Sequence, residues 1–509
     1  MSEPGGPPQA KDWPALTLET QAKDARAEEG GGRARQQRHQ RLGRLTARER
    51  IDALCDAGTF TEFGKHVLHR HAQDSDALAA NLHPGDGLVC GLAEVEGQGV
   101  VVYAHDPTVL RGALGIEGAK KLCRLLDLAL ERSLPVIALS DCDGVRVEEG
   151  TDAIDAYGEI LRRTIKLQGK VPQLTLVCGL CVGAAAYTAA LTDQVAMVQG
   201  QSYMFITGPK VTKVVTGEDV SLEDLGGAAM HAKDTGACAE LCADERAGIA
   251  WLKRMLSFRR ARVPSGDAAT RPVPEVETIV PTAARRGYDM RKLLAAVTDA
   301  GSLLELSPKF AGNLLTALAR MNGRAVAIVA SNPMVIAGCL DIAASRKGAA
   351  FVTWAARNQL PILTLVDVPG YLPGSVQEKG GIIPHGATLL TAYGEADARV
   401  PLVCLVVRKS FGGASVLSFA ADLRLALPTA RVAPMGADAT IEVVLGPENP
   451  DASEAEKAAR AARKDQWLEA HDSAWAAAAT GYVDRVIAPA SVRAELCQAL
   501  DRLCGQEER

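Results

Sequence analysis

The chain repeats itself once, at long range, and that repeat constrains its fold more than any local pattern. Residues 134–144 (LPVIALSDCDG) resemble residues 360–370 (LPILTLVDVPG), 226 residues further on. Gly112-Ala-Leu114 matches Gly338-Cys-Leu340 at the same offset. Ala156-Tyr-Gly-Glu159 matches Ala392-Tyr-Gly-Glu395 at an offset of 236, which puts ten extra residues in the loop before that helix of the second copy. Val171-Pro172 then matches Val400-Pro401 at 229, and Gly183-Ala184 matches Gly413-Ala414 at 230. The five matches keep their order. A period this long is not a solenoid repeat; it means two duplicated domains.

Apolar strands alternate with helical stretches from about residue 86. Strands are predicted over 99–105, 134–140 and 174–177, and helices over 118–132 and 153–168. Such alternation favours parallel α/β layers. Residues 258–287 break the pattern with Pro, Arg and Asp and read as a linker between domains. The division expected is a disordered tail over 1–32, an N-terminal domain over 33–257, the linker 258–287 and a C-terminal domain over 288–509. The basic stretch 33–50 reads as a helix with a solvated arginine face, with Thr46 and Glu49 forming a capping box at its end.

Other function classes find little support. The net charge of −5 gives no global attraction to nucleic acid. No apolar run reaches membrane-spanning length, and the N-terminal residues have no apolar signal core, so a cytoplasmic location is expected. Cys178 and Cys181 spell C-x-x-C; Cys238 with Cys242, or His66, His69 and His71, are the only groups available to extend it. Those intervals are too long for a compact zinc module, and the cysteines read as small core hydrophobes; no metal is expected.

In each copy a buried strand (174–177; 402–406) runs into a turn of small residues and then a helical stretch. The turns are Cys181-Val-Gly183-Ala184-Ala185-Ala186 and Phe411-Gly412-Gly413-Ala414-Ser415. Small residues let a ligand approach the main chain. Unpaired amides at a helix start point outward and favour negative charge. That is the geometry of an oxyanion hole.

Further stretches complete the pattern: Leu45-Thr-Ala-Arg-Glu-Arg-Ile51, Met204-Phe-Ile-Thr-Gly-Pro209, Val215-Thr-Gly-Glu-Asp-Val220, Leu225-Gly-Gly-Ala228, Ala337-Gly-Cys-Leu-Asp341, residues 366–374 (VDVPGYLPG), Arg408-Lys-Ser-Phe-Gly-Gly-Ala414 and Gly481-Tyr-Val-Asp-Arg-Val486. In these residues, from about 43 to about 490, the chain resembles the carboxyltransferase (β) subunits of biotin-dependent acyl-CoA carboxylases, such as propionyl-CoA carboxylase β chains. The resemblance implies an α/β fold made of two tandem crotonase-like (ClpP/crotonase) domains, and a hexamer built as a trimer of dimers. It implies active sites between the N-terminal domain of one protomer and the C-terminal domain of another. It also implies transfer of a carboxyl group from carboxybiotin to the α-carbon of an acyl-CoA. No Met-Lys-Met stands in the chain, so biotin is expected on a separate carrier, with a biotin carboxylase subunit as partner. Two oxyanions develop in such a transfer. Gly183 and Ala184 are assigned to the thioester oxygen and Gly413 and Ala414 to the biotin ureido oxygen, with no side-chain base required.

The chain departs from the family at four places. The usual D-S-G-G-A-R-I-Q-E-G is here 141–150 (DCDGVRVEEG), so Asp143 and Val145 flank Gly144. Asp143 would oppose an enolate unless it turns towards Arg146 or solvent. A-G-G-A is here Val182-Gly183-Ala184-Ala185, and F-G-G-A-Y-D ends in Ser415-Val416. A glycine-rich segment after Met435-Gly436 becomes Ala437-Asp438-Ala439. Gly144, Val145 and Val416 are therefore expected to shape the acyl pocket. His231 and His385 are expected to be structural. Two alternatives remain at this point: a decarboxylase or transcarboxylase subunit working in reverse, and a noncatalytic scaffold subunit.

Overall fold

The computed structural model describes residues 11–69, 83–283, 286–447, 449 and 451–505. The chain forms two compact units, Met1–His231 with Glu240–Arg254, and Ala232–Ala239 with Met255–Arg509.

The first unit begins with helix α1 (Trp13–Glu28). Asp12 caps it by accepting from the Ala15 amide at 3.0 Å, and a proline stands in its first turn. Both are helix-start signals. They outweigh the polar composition that reads as a disordered tail; residues 1–10 of that tail lie outside the described residues. Helices α2 (Arg33–Arg41) and α3 (Ala47–Leu54) follow, and Thr46 and Glu49 form the capping box. Arg50 is not part of a solvated face. It is 0% exposed, with Nε 2.7 Å from Glu245 and Nη2 3.1 Å from Asp141.

Eight strands form the sheet of the first unit: β1 (Thr61–Glu62), β2 (Leu88–Val95), β3 (Gln98–His105), β4 (Val136–Cys142), β5 (Gln173–Val182), β6 (Gln194–Val198), β7 (Tyr203–Phe205) and β8 (Glu240–Cys242). Their order is β1-β2-β3-β4-β5-β6-β8, with β7 paired to the far end of β5. β2 and β3 form an antiparallel hairpin, and from β3 onward the pairing is parallel. Helices α4 (Ile116–Arg132) and α5 (Gly150–Leu167) make the crossovers between parallel strands that such pairing requires.

The second unit has the same plan. β9 (Leu304–Leu306), β10 (Leu314–Met321), β11 (Arg324–Ser331), β12 (Ile362–Val368), β13 (Leu402–Phe411), β14 (Leu423–Ala426), β15 (Arg431–Ala433) and β16 (Arg485–Val486) pair in the order β16-β14-β13-β12-β11-β10-β9, with β15 on β13. The registers agree to the residue: Val101 faces Val136 as Ala327 faces Ile362, and Leu174 faces Gln194 as Val403 faces Leu423. All eight residues of β11 are buried, as a strand covered on both faces requires. The segment expected to be a linker belongs to this core. Val273, Val276 and Val280 are buried in it, and Arg262 forms a bridge with Arg324. Its prolines and charges sit between those buried valines, so composition reads only its outer face.

One feature recurs at the centre of both sheets. The β4–β5 register shifts between Ser140 and Cys142, and the β12–β13 register shifts between Val366 and Val368. A buried carboxylate sits in each break, Asp141 in one and Asp367 in the other. Asp141 accepts from the Leu180 amide at 3.2 Å, and Asp367 from the Lys409 amide at 3.2 Å. Arg408 pairs with Asp367 at 2.8 Å. Asp141 has no such neighbour on the adjacent strand β5, because the position equivalent to Arg408 is Gly179. A Cβ at Gly179 would lie 2.2 Å from the Asp141 carboxylate. Arg50 enters from α3 instead.

Among the described residues, no helix is long and apolar enough to cross a membrane.

Replacing Arg50 with alanine strands two buried carboxylates. Urea titration of Arg50→Ala should show a loss of about 3–5 kcal/mol relative to wild type; a loss below 1 kcal/mol would remove Arg50 from its place in the fold. Burial lowers the His105 ring from 6.5 to about 4. Between those values the unfolded chain holds the extra proton, so this group's stabilisation is complete above pH 6.5 and is lost as pH falls towards 4. A His105→Leu variant should lose stability less steeply than wild type across that interval.

Candidate functional site

Strand β5 ends at Val182, Gly183 turns the chain at φ 58°, and helix α6 (Ala184–Leu191) starts at once. Strand β13 ends at Phe411, and Gly412 turns the chain at φ 58° into a tight helical turn over Gly412–Ser415. Only glycine holds this left-handed conformation without strain. Strand pairing aligns the two turns: Val182 faces Phe205 as Phe411 faces Ala433. Gly183 therefore corresponds to Gly412, and Ala184 to Gly413. The sequence match of Gly183-Ala184 with Gly413-Ala414 is out of step by one residue.

The shift has a chemical consequence. The Gly183 amide donates to the Phe205 carbonyl at 3.0 Å. It is engaged in holding β7 and cannot also serve as an oxyanion donor. The Ala184 amide is the first of α6 and has no acceptor within the helix. Ala184 is half-buried and Gly413, its counterpart, is exposed, while the Ala414 methyl is fully buried.

A second turn lies against each of these. Gly144, at φ 92°, packs so closely on the end of β5 that a Cβ there would sit 2.7 Å from the Val182 carbonyl. Leu114 pairs with this turn through its amide to the Gly144 carbonyl at 3.0 Å and through its carbonyl to the Arg146 amide at 2.8 Å. Val145 lies between those two bonds, so its own amide points the other way and has no partner among the described residues. The second copy repeats the arrangement: Leu340 bonds the Gly370 carbonyl at 3.0 Å and the Leu372 amide at 2.7 Å, leaving the amide of Tyr371. The Tyr371 ring packs on Gly413, where a Cβ would lie 3.6 Å from it.

Asp143 turns neither to Arg146 nor to solvent. Its carboxylate pairs with Arg111 Nε at 2.8 Å. Arg146 is buried and committed elsewhere, at 2.6 Å from Asp86 and 2.8 Å from Glu149. Those two carboxylates in turn accept from the Gly118 and Ile116 amides at the start of α4. Val145 and Asp143 line a cavity of about 590 Å³ with Arg35, Leu110, Arg111 and Val147. A larger cleft of about 920 Å³, lined by residues of α4 and α5, contains none of the turn residues.

Val416 does not line a pocket. It is 2% exposed, and its side chain belongs to the interior of the second unit. His231 Nε2 lies 2.6 Å from the Met204 carbonyl, a backbone contact. His385 is half-buried on the helix Ile382–Asp397. Asp438 pairs with Lys464. Cys178 and Cys181 are buried on β5, and burial pushes the Cys181 thiol up to about 12. No group of three or more His, Cys, Asp and Glu among the described residues could hold a metal, and His71 lies outside them. Sequence reasoning did not find Arg111, because nothing in the chain marks it as facing Asp143.

A carboxyl transferase domain model matches residues 37–508. The propionyl-CoA carboxylase beta chain of Roseobacter denitrificans is 40% identical over 494 residues, covering 94% of each chain. The mitochondrial propionyl-CoA carboxylase beta chain of Homo sapiens is 40% identical over 490 residues, covering 94% of this chain and 89% of that one. Among solved structures, transcarboxylase 12S, a hexamer determined with methylmalonyl-coenzyme A and methylmalonic acid bound, superposes with a TM-score of 0.92 at 37% identity over 98% of each chain. A single-chain, multi-domain long-chain acyl-CoA carboxylase superposes with a TM-score of 0.84 at 28% identity, over 95% of this chain and 49% of that one. The duplicated sheets and their paired turns are those of a two-domain crotonase-like enzyme, and the chain belongs to the carboxyltransferase family, as an acyl-CoA carboxyltransferase.

Proposed function

We propose that this chain transfers the carboxyl group of carboxybiotin, presented on a separate carrier in the cytoplasm, to the α-carbon of an acyl-CoA, giving a malonyl-type CoA. The observation that carries this reading is the paired turn in each copy: Gly144, next to Val145, packs on the Val182 carbonyl two residues before Ala184, and Tyr371, in the position equivalent to Val145, packs on Gly413, the equivalent of Ala184. Backbone amides held in this way stabilise an oxygen that gains charge, without reorganising as it does so. The Ala184 and Val145 amides take the thioester oxygen as the enolate forms. The Gly413 and Ala414 turn takes the ureido oxygen of biotin, and the exposed main chain of Gly413 fits a flat ring that must reach it from outside. When bound, carboxybiotin supplies the CO2 and a ureido nitrogen able to accept the α-proton. Gly144 lets its turn close on β5, which aims the Val145 amide. The apolar side of the 590 Å³ cavity, with Leu110, Val145 and Val147, accommodates the acyl portion.

Assembly as a hexamer with a biotin carboxylase and carrier subunit completes the reading. The transcarboxylase 12S likeness favours a second direction for the same site, with a malonyl-type CoA as the donor. A noncatalytic scaffold is disfavoured, because the two departures that motivate it are accommodated: Asp143 is paired and Ala184 keeps its amide.

The complex should turn over at least one of acetyl-, propionyl-, butyryl- or longer acyl-CoAs with a carboxybiotin donor. No turnover in either direction by an intact assembly would overturn the function. Ala184 is the first residue of its helix, where proline is tolerated. Ala184→Pro removes one N–H and little else, so kcat should fall about 10²–10³-fold with the melting temperature nearly unchanged. An unchanged kcat would remove the Ala184 amide from the hole.

A further inference from the structure

We infer that Arg111 is a positioning residue for carboxyl transfer: it neutralises and holds Asp143 so that a carboxylate can stand beside the thioester oxyanion hole without opposing the enolate. The inference rests on the proposed assignment of that hole to Val145 and Ala184.

Asp143 is two residues from Val145, on the turn that carries the Val145 amide. A negative charge there acts against any oxygen that becomes negative at that amide. Two bonds hold the residue to Arg111. The Asp143 amide donates to the Arg111 carbonyl at 3.2 Å, and the Arg111 guanidinium meets the carboxylate at 2.8 Å. The backbone of Arg111 is left-handed, at φ 58°. That shape belongs to the fold, because the equivalent Ala337 has φ 56°. The charges do not belong to the fold. The second copy has Ala337 in place of Arg111 and Pro369 in place of Asp143, so charge and countercharge occur together or not at all.

The ion pair does little for stability. The Arg111 side chain is 80% exposed and that of Asp143 22%, and such pairs are screened by water. Its value lies in the field it presents to the cavity, which Arg111, Asp143 and Val145 line together.

This separates the inference from a structural role. Arg111→Gly relieves the left-handed backbone while deleting the charge, so the melting temperature should hold or rise. In the assembled enzyme, kcat for the preferred acyl-CoA should fall about tenfold with KM little changed, because the unpaired carboxylate acts on the transition state. Adding Asp143→Asn to Arg111→Gly should restore kcat to within about twofold of wild type. Binding of a CoA thioether bearing a nitronate, which places negative charge where the enolate oxygen would be, should weaken and recover in step. Wild-type kcat in Arg111→Gly, or no rescue by Asp143→Asn, would overturn the inference while leaving the function intact. A wild-type complex inactive with every thioester would overturn both.

Discussion

A carboxylate buried in a sheet is expensive unless it is paired and hydrogen-bonded, yet each half of this protein is arranged around one. Asp141 and Asp367 occupy the point where two central parallel strands lose register, and each accepts an amide of the longer strand just before the oxyanion turn. The two halves meet the charge differently. In the second, Arg408 stands on β13 itself, stacks over Tyr288 at 4.7 Å and bonds the carbonyls of Ala283 and Arg286. In the first, the equivalent position is Gly179, and the guanidinium comes from Arg50, far away in sequence. The missing side chain at Gly179 leaves the room that the Asp141 carboxylate fills. Each of these carboxylates is thus fastened to a segment outside the repeat: α3 in one half, and Ala283, Arg286 and Tyr288, through Arg408, in the other.

The duplication is legible in the sequence because the matching segments keep their order, and the strands their spacing, while the loop before the helix Ile382–Asp397 lengthens. The 226-residue offset is the offset of the β3–β4 and β11–β12 registers. The misstep came at the turns. Gly183-Ala184 and Gly413-Ala414 look alike as letters, but Gly183 and Gly412 share the backbone angle, and only strand pairing separates the two alignments. Segments outside the repeat were read from composition, which reports the solvent-facing side chains. Arg50 sits in a basic run and Val273 in a proline-rich one, and both are buried. Likeness to a family position points Val416 at the acyl pocket, but its side chain is buried, and burial of that kind is not visible in the sequence. The Arg111–Asp143 contact joins two loops that no periodicity connects.

Functional drift is uneven between the halves. The second turn keeps two glycines and an exposed main chain. The first has gained methyl groups and a charge pair, and its neighbour is a walled cavity with apolar and ionic sides. The first half therefore carries what is particular to this chain, and the second half what is general.

The bond from the Gly183 amide to the Phe205 carbonyl removes one donor from the site, but it also makes the turn mechanically stiff. One peptide of the turn is clamped to β7, and the next is the first of a helix, so the dipole of Ala184 cannot swing without breaking a hydrogen bond at its root. An amide mounted in this way does not track an acceptor; the acceptor must come to it. If the Ala184 amide is the thioester's donor, as proposed, selection among thioesters is a matter of which acyl group lets its carbonyl reach a fixed point, and small shifts of the cavity wall around Val145 act as changes of aim rather than of binding strength.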